Sequence, residues 1–430
     1  MSGFNESDFD RVNRLIEKNK NLSKSGGFGS LNSSDCFSSS VSSPNSVSSD
    51  LSLRKDFVYD RVVSGTIFLG ENPDIISGNI YIENGIIVDI EERPVKSDNW
   101  IAPRFVNTHT HIGDSLLKDP PLGNEHGFCI EKDLDALVKP PNGLKHKFLS
   151  QIGFDESVDA MESAVWELFL NGVGVFADFR EGGLEGTVAL LKAVSNTGKD
   201  IFPFVFGRPG HVYGIGSNDH PNMDFLEEVR DILEVADGIG LSGANDLDDY
   251  VLTKITSKTH LKRKKLAIHA GEKDRSDIKE ALALSPDLLI HMTHANDLDL
   301  KKAADLQIPV SVCVRSNLTT GVGLPPVLKM LKSGISVSIG TDNMMLNSPD
   351  MFEEMHFISR LYGLSDHHVF KMATSNGAKT LGCGFTGSID IGKKADLIVL
   401  NSKSLNLKNV QDPLAGFVRR ACKDDILGIV

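Results

Sequence analysis

Histidines and carboxylates recur in this chain at the points where apolar runs end. The stretch FVNTHTHIGD places His109 and His111 two residues apart. Alternate residues of an extended strand share a face, so both imidazoles point the same way and form a half-site for zinc or a similar ion. An isolated His-x-His is weak evidence, since two polar loop residues produce the same pattern. Three more runs end alike: LAIHAGE supplies His269 and Glu272, LLIHMTH supplies His291 and His294, and SVSIGTD supplies Asp342. A buried imidazole or carboxylate is costly unless it is paired or bound to metal. So many such groups at the ends of separate apolar runs need one common reason, and metal binding supplies it.

Those runs belong to a regular alternation. Between Pro103 and Leu381 the strand candidates are FVNTHTHI, VGVFADF, IFPFVFG, GIGLSG, LAIHAG, LLIHMTH, IPVSVCV and SVSIGTD, with helical patterns between most of them. The clearest helix is predicted from Glu156 to Asn171, with Val158, Met161, Val165, Leu168 and Phe169 at helical spacing and Gly172 placed to end it. Eight strands with intervening helices in about 280 residues point to the α/β class and a (β/α)8 TIM barrel. A doubly wound open sheet has the same periodicity. In a barrel, chemistry gathers at the C-terminal ends of the strands, where these ionisable residues lie. Short β-rich runs also flank the centre: RVVSGTIFLG, GNIYIENG and GIIVDIEE before it, and Gly387 to Asn401 after it. They predict a small composite β-sandwich domain formed by both chain ends. The expected division is 1–55 as a disordered Ser-rich leader, 56–102 with 386–430 as the β domain, and 103–385 as the barrel. A short helix over Glu6 to Lys20 is the alternative for part of the leader.

The segments PRFVNTHTHIGDS, LAIHAGE, LLIHMTHA and VSIGTDNMMLNSPDMFEEM occur in this order and resemble the metal-binding segments of the amidohydrolase superfamily. The resemblance runs from about Arg61 onward and is nearest to the branch of cytosine deaminase, S-adenosylhomocysteine deaminase and the triazine hydrolases. It implies that His109, His111, His269 and Asp342 hold one divalent metal ion, Zn2+ with Fe2+ or Mn2+ as alternatives. It implies Glu272 as a proton shuttle and His291, in preference to His294, as the residue that orients or deprotonates the attacking water, with Asp342 sharing the proton. No strand-end lysine suits a carbamylated bridge between two metals, which favours a mononuclear site.

Other residues have two readings each. Arg180, Arg208, His294 and Asn317 are candidates for binding a polar substrate; the same arginines, with Glu181, could form salt bridges in the mouth, and His294 could support its neighbours by a hydrogen bond. The Ser316–Asn317 pair resembles a family feature that shapes a loop. The segment from Asp114 to Phe154 reads as a lid or binding loop, with His126 and His146 expected at the surface.

A net charge of -13 argues against a nucleic-acid footprint. No stretch has the apolar length of a membrane span, and MSGFNESDFD lacks the order of a signal peptide. Five scattered cysteines without a CxxC pair predict a reduced, cytoplasmic protein. The expected partner is a small-molecule substrate, with homo-oligomerisation left open. The leading function is hydrolytic deamination of an amino-substituted heterocycle: a nucleobase, nucleoside, pterin or triazine. A cyclic amide or chloro-heterocycle hydrolase would use the same metal site. A non-catalytic binding protein of the same fold is the alternative from another class, and it would be expected to have lost ligands that are all present here.

Overall fold

The computed structural model describes residues 60–120, 134–138, 142–210, 212 and 224–430. The serine-rich leader, the Glu6–Lys20 helix candidate, His126 and Cys129 lie outside the described residues. The chain opens with β1 (Arg61–Leu69), β2 (Asp74–Glu83), β3 (Ile86–Glu92) and β4 (Asn99–Pro103). The central strands follow: β5 (Phe105–His111), β6 (Val173–Arg180), β7 (Phe202–Gly207), β8 (Gly238–Leu241), β9 (Lys265–Ala270), β10 (Leu288–His291), β11 (Val310–Val312), β12 (Val337–Ile339) and β13 (Asp342–Asn343). The last two strands are β14 (Leu397–Asn401) and β15 (Ile426–Ile429).

Strands β5 to β13 form one sheet in the order β12-β11-β10-β9-β8-β7-β6-β5-β13. Every pairing in it is parallel. Because β12 pairs with β11 and β13 pairs with β5, the sheet closes on itself. The segments β12 and β13 are two parts of a single eighth strand, interrupted at Gly340 and Thr341, so the barrel is (β/α)8. The interruption has a steric cause. A Cβ on Gly340 would lie 2.5 Å from the Cβ of His109, so the backbone passes where no side chain fits. Asn107 bridges the gap: its Nδ2 donates to Thr341 Oγ1 at 2.7 Å and its Oδ1 accepts from Thr341 N at 3.1 Å.

The helix predicted over Glu156 to Asn171 spans Phe154–Leu170 and buries Val158, Met161, Val165 and Leu168 against the barrel. Gly172, at φ +78°, turns the chain out of it into β6 as expected.

The flanking strands make a second, six-stranded sheet in the order β15-β14-β4-β1-β2-β3, drawn from both chain ends. Of the β-like run Gly387 to Asn401, only Leu397–Asn401 is a continuous strand; the earlier part touches the sheet through the isolated bridges Leu69–Ile389 and Ile86–Lys394. Ile67, Ile80, Ile87, Ile101 and Leu397 form the core of this sheet. Arg104 ties it to the barrel. Its guanidinium lies 3.2 Å from Asp396 Oδ1 and donates to Asp200 O at 2.6 Å, with the side chain 1% exposed.

Candidate metal centre

The barrel brings the predicted ligands together. The Nε2 atoms of His109 and His269 lie 3.2 Å apart, and His109 Nε2 is 3.1 Å from Asp342 Oδ1. His111 Nε2 reaches the same carboxylate oxygen at 3.6 Å. Two imidazole nitrogens of adjacent side chains approach this closely when both are aimed at one point. The side of each ring facing away is tied down for two of the three histidines. His111 Nδ1 contacts Glu181 Oε1 at 2.9 Å and Phe179 O at 3.2 Å, and His269 Nδ1 contacts Leu241 O at 2.8 Å. A carbonyl oxygen only accepts, so Nδ1 carries the hydrogen and Nε2 keeps its lone pair for a metal.

Electrostatics agree. Burial above all, with Lys145 nearby, pushes the His111 imidazole down to about 3; burial also holds His109 and His269 below the usual histidine range. Neutral imidazoles are what metal ligation requires. Asp342 is opposed by its own burial, yet His109 and His291 hold its carboxyl well below the usual carboxylate range. Ser316 Oγ donates to Asp342 Oδ2 at 2.5 Å, leaving Oδ1 for the centre. Three imidazoles and one carboxylate therefore fit a divalent ion such as zinc.

His291 and Glu272 stand beside these ligands. His291 Nε2 is buried, has no hydrogen-bond partner among the described residues, and lies 3.5 Å from Glu272 Oε2. Asn317 Oδ1 lies 3.0 Å from His291 Nδ1, while Asn317 Nδ2 donates to Thr293 Oγ1 at 2.7 Å. That arrangement leaves the lone pair on Nε2, facing Glu272. Burial raises the Glu272 carboxyl to about 7, with His291 opposing and Asp342 adding to the shift. The backbone is strained at this spot: His291 (φ +70°), Met292 (φ +52°) and Asp342 (φ +63°) occupy the left-handed region. Each such non-glycine residue costs about 1–3 kcal/mol, a cost characteristic of functional sites.

The substrate-binding candidates separate. Arg208 lines the cavity that contains His111, His269, Glu272, His291 and Asp342. Arg180 does not; its guanidinium meets Glu181 Oε2 at 3.0 Å and Met161 Sδ at 3.3 Å, on the helix side of the barrel wall. His294 is exposed and bonds Val322 O at 2.9 Å, and Asn317 is fully buried behind His291. His146, expected at the surface, is half-buried; its Nε2 contacts Val138 O at 3.0 Å and its own burial pushes it down to about 4. The residues that the sequence reading left without a role are Asp114 and Lys145. Glu181 Oε1 is shared by His111 Nδ1 (2.9 Å), Lys145 Nζ (2.6 Å) and Arg208 Nη1 (3.4 Å), and Lys145 also meets Asp114 Oδ2 at 3.0 Å. Asp114 follows the paired histidines by three residues, which was a usable signal; Lys145 sits in the loop-like PPNGLKHK with none.

Residues 100–430 match the amidohydrolase family. An uncharacterized protein of Methanocaldococcus jannaschii is 34% identical over 405 residues, covering 88% of this chain and 97% of that one. A 5-methylthioadenosine/S-adenosylhomocysteine deaminase of Caldicellulosiruptor saccharolyticus is 24% identical, covering 84% of this chain and 89% of that one. Among solved structures, an adenosine deaminase from Xanthomonas campestris with bound zinc superposes with a TM-score of 0.69 at 17% identity, over 86% of this chain and 91% of that one.

Proposed function

The chain belongs to the amidohydrolase family and is a hydrolase of carbon–nitrogen bonds other than peptide bonds, and from that premise we propose that it deaminates an amino-substituted heterocycle: a nucleobase, nucleoside, pterin or triazine. The observation that carries this reading is the pairing of His291 and Glu272, 3.5 Å apart, beside the converging side chains of His109, His111, His269 and Asp342. The name of the deaminase relative supports it further.

In this reading His109, His111, His269 and Asp342 would hold one divalent ion, zinc with iron or manganese as alternatives, and when bound it would supply Lewis acidity to a water near neutral pH. The residues do the rest. His291 Nε2, its tautomer held by Asn317, accepts the proton of the attacking water, and Asp342 Oδ1 can share it. Burial raises the Glu272 carboxyl to about 7, so a substantial share of it carries a proton at neutral pH. It gives that proton to the ring nitrogen next to the attacked carbon. The proton held by His291 then passes to the amino group and the C–N bond breaks, releasing ammonia, while the new hydroxyl gives its proton to Glu272 and its oxygen stays on the carbon as a carbonyl. Arg208 borders the cavity and is our candidate for a polar substrate group.

The domain plan remains 1–55, 56–102 with 386–430, and 103–385. A cytoplasmic location is part of the same proposal. In support, Cys313, Cys383 and Cys422 are all free thiols, and no helix among the described residues is long and apolar enough to cross a membrane.

The test is ammonia release. Protein reconstituted with zinc, iron or manganese is offered nucleobases, nucleosides, pterins, aminotriazines, cyclic ureas and a chlorotriazine. Metal-dependent ammonia from an amino heterocycle is expected. Ring opening or chloride release without ammonia would replace deamination with the neighbouring hydrolase chemistry. A protein that takes up no metal and turns over nothing would return the reading to a binding protein.

A further inference from the structure

The catalytic groups come from barrel strands and the turns after them, yet part of the cavity wall comes from the connection between β5 and the helix Phe154–Leu170. Lys145, in the short helix Leu144–Leu149, borders the cavity together with Arg208, His111, Glu272, His291 and Asp342. Its side chain is 4% exposed, with Nζ 2.6 Å from Glu181 Oε1 and 3.0 Å from Asp114 Oδ2. Lysine is seldom buried to this degree, because stripping water from an ammonium costs several kcal/mol before any pairing. A lysine that served only to neutralise Glu181 would not need the cavity. Arg180 already does so from outside it, at 3.0 Å from Glu181 Oε2.

An ammonium has three N–H donors. Among the described residues Lys145 meets two carboxylates, which leaves one donor at the cavity face. The rest of the lining is rich in acceptors, with Asp135, Asp246, Asp274 and Asp277 on it. Lys273, a third cation of the lining, is paired with Asp135. Lys145 and Arg208 are the two cations that Glu181 links to His111. A donor fixed by two carboxylates cannot swing away when no acceptor arrives. A ligand without an oxygen there leaves a buried N–H unsatisfied, and this penalty gives polar pockets their selectivity.

We propose that Lys145 contacts the substrate and selects amino heterocycles that carry an oxygen acceptor, a ring carbonyl or an acidic oxygen. The selection rests on the deaminase reading for its substrate class and on the lysine geometry for its direction.

The experiment measures binding and turnover separately, on the zinc-loaded full chain. Calorimetry compares ligand pairs that differ in one ring oxygen: cytosine with 4-aminopyrimidine, guanosine with 2-aminopurine riboside, and pterin with 2-aminopteridine. Wild type is expected to prefer the oxygen-bearing member of at least one pair by about 100-fold, the size of a charge-assisted hydrogen bond of the stronger kind. Lys145→Met should reduce that preference to about 3-fold or less while zinc content and affinity for the oxygen-free member hold. Because that variant leaves two carboxylates short of a counter-ion, the double variant Asp114→Asn with Lys145→Met is read alongside it, with thermal unfolding as the check on folding. A preference that survives in a folded, zinc-loaded variant overturns the proposal, as does a wild type without preference in any pair. Ammonia is followed in the same samples. Lysine-dependent binding without ammonia sinks deamination and keeps the selectivity; ammonia without a lysine-dependent preference does the reverse.

Discussion

The barrel and the terminal sheet bury their strands in opposite ways. Along β5 every residue is buried, including Asn107, Thr108, His109, Thr110 and His111. From Gly78 to Ile82 of β2 burial alternates, and the polar residues face out: Asn79 and Tyr81 both hydrogen-bond Glu91 on the surface of the sheet. The small sheet follows the ordinary rule of a half-buried strand, apolar in and polar out. The barrel breaks it most at the C-terminal ends of its strands, where the interior holds imidazoles and carboxylates instead of aliphatic side chains. Polar burial costs free energy. The place where it is concentrated is therefore where stability has been exchanged for chemistry.

Four variants or conditions probe that contrast. The largest effect is expected from Glu272→Gln, which keeps shape and removes the transferable proton. Turnover should fall by about 10³-fold while bound metal stays stoichiometric. A change of less than tenfold, measured by steady-state kinetics with metal analysis, would remove the shuttle. The pH profile comes next. Burial raises Glu272 to about 7, so its acid form is lost as pH rises through that value. An acid catalyst should give a kcat that falls about tenfold per unit on the alkaline side, and the falling limb should be absent from whatever residual rate Glu272→Gln retains. A flat profile from pH 7 to 9 would contradict that assignment. Glu181→Gln should weaken metal binding by roughly 10- to 100-fold, the usual effect of loosening a carboxylate behind a histidine ligand, as read by competition with a chelator. The smallest effect on turnover should come from the other region. Ile80→Ala in the core of the small sheet is expected to cost about 3 kcal/mol in urea unfolding and to leave kcat within about twofold at temperatures where the protein is folded. A large loss of kcat there would show that the two regions are coupled more tightly than their burial patterns suggest.

Much of the architecture was legible because barrel strands are buried on both faces and so read as apolar runs. All eight runs became strands, and Gly172 ended its helix as expected. The break in the eighth strand was not legible: it comes from the approach of Gly340 to His109, residues more than two hundred positions apart. Arg180 offered a parity signal that went unused. The ring of Phe179 packs 4.5 Å from that of His109, facing the interior, so the next residue of the strand must face the helices.

The order of the motifs and the spacing of the paired histidines determined the candidate ligands, the family resemblance and the barrel, since residue chemistry and hydrophobic period are local properties of a chain. The tertiary structure decided that His291 and not His294 faces Glu272, that Asn317 supports that histidine from behind, and that a lysine from the short helix Leu144–Leu149 reaches the cavity wall. Each of these depends on the direction in which a side chain leaves a closed barrel and on what meets it from a distant segment. Such meetings are set by packing, which no local pattern encodes.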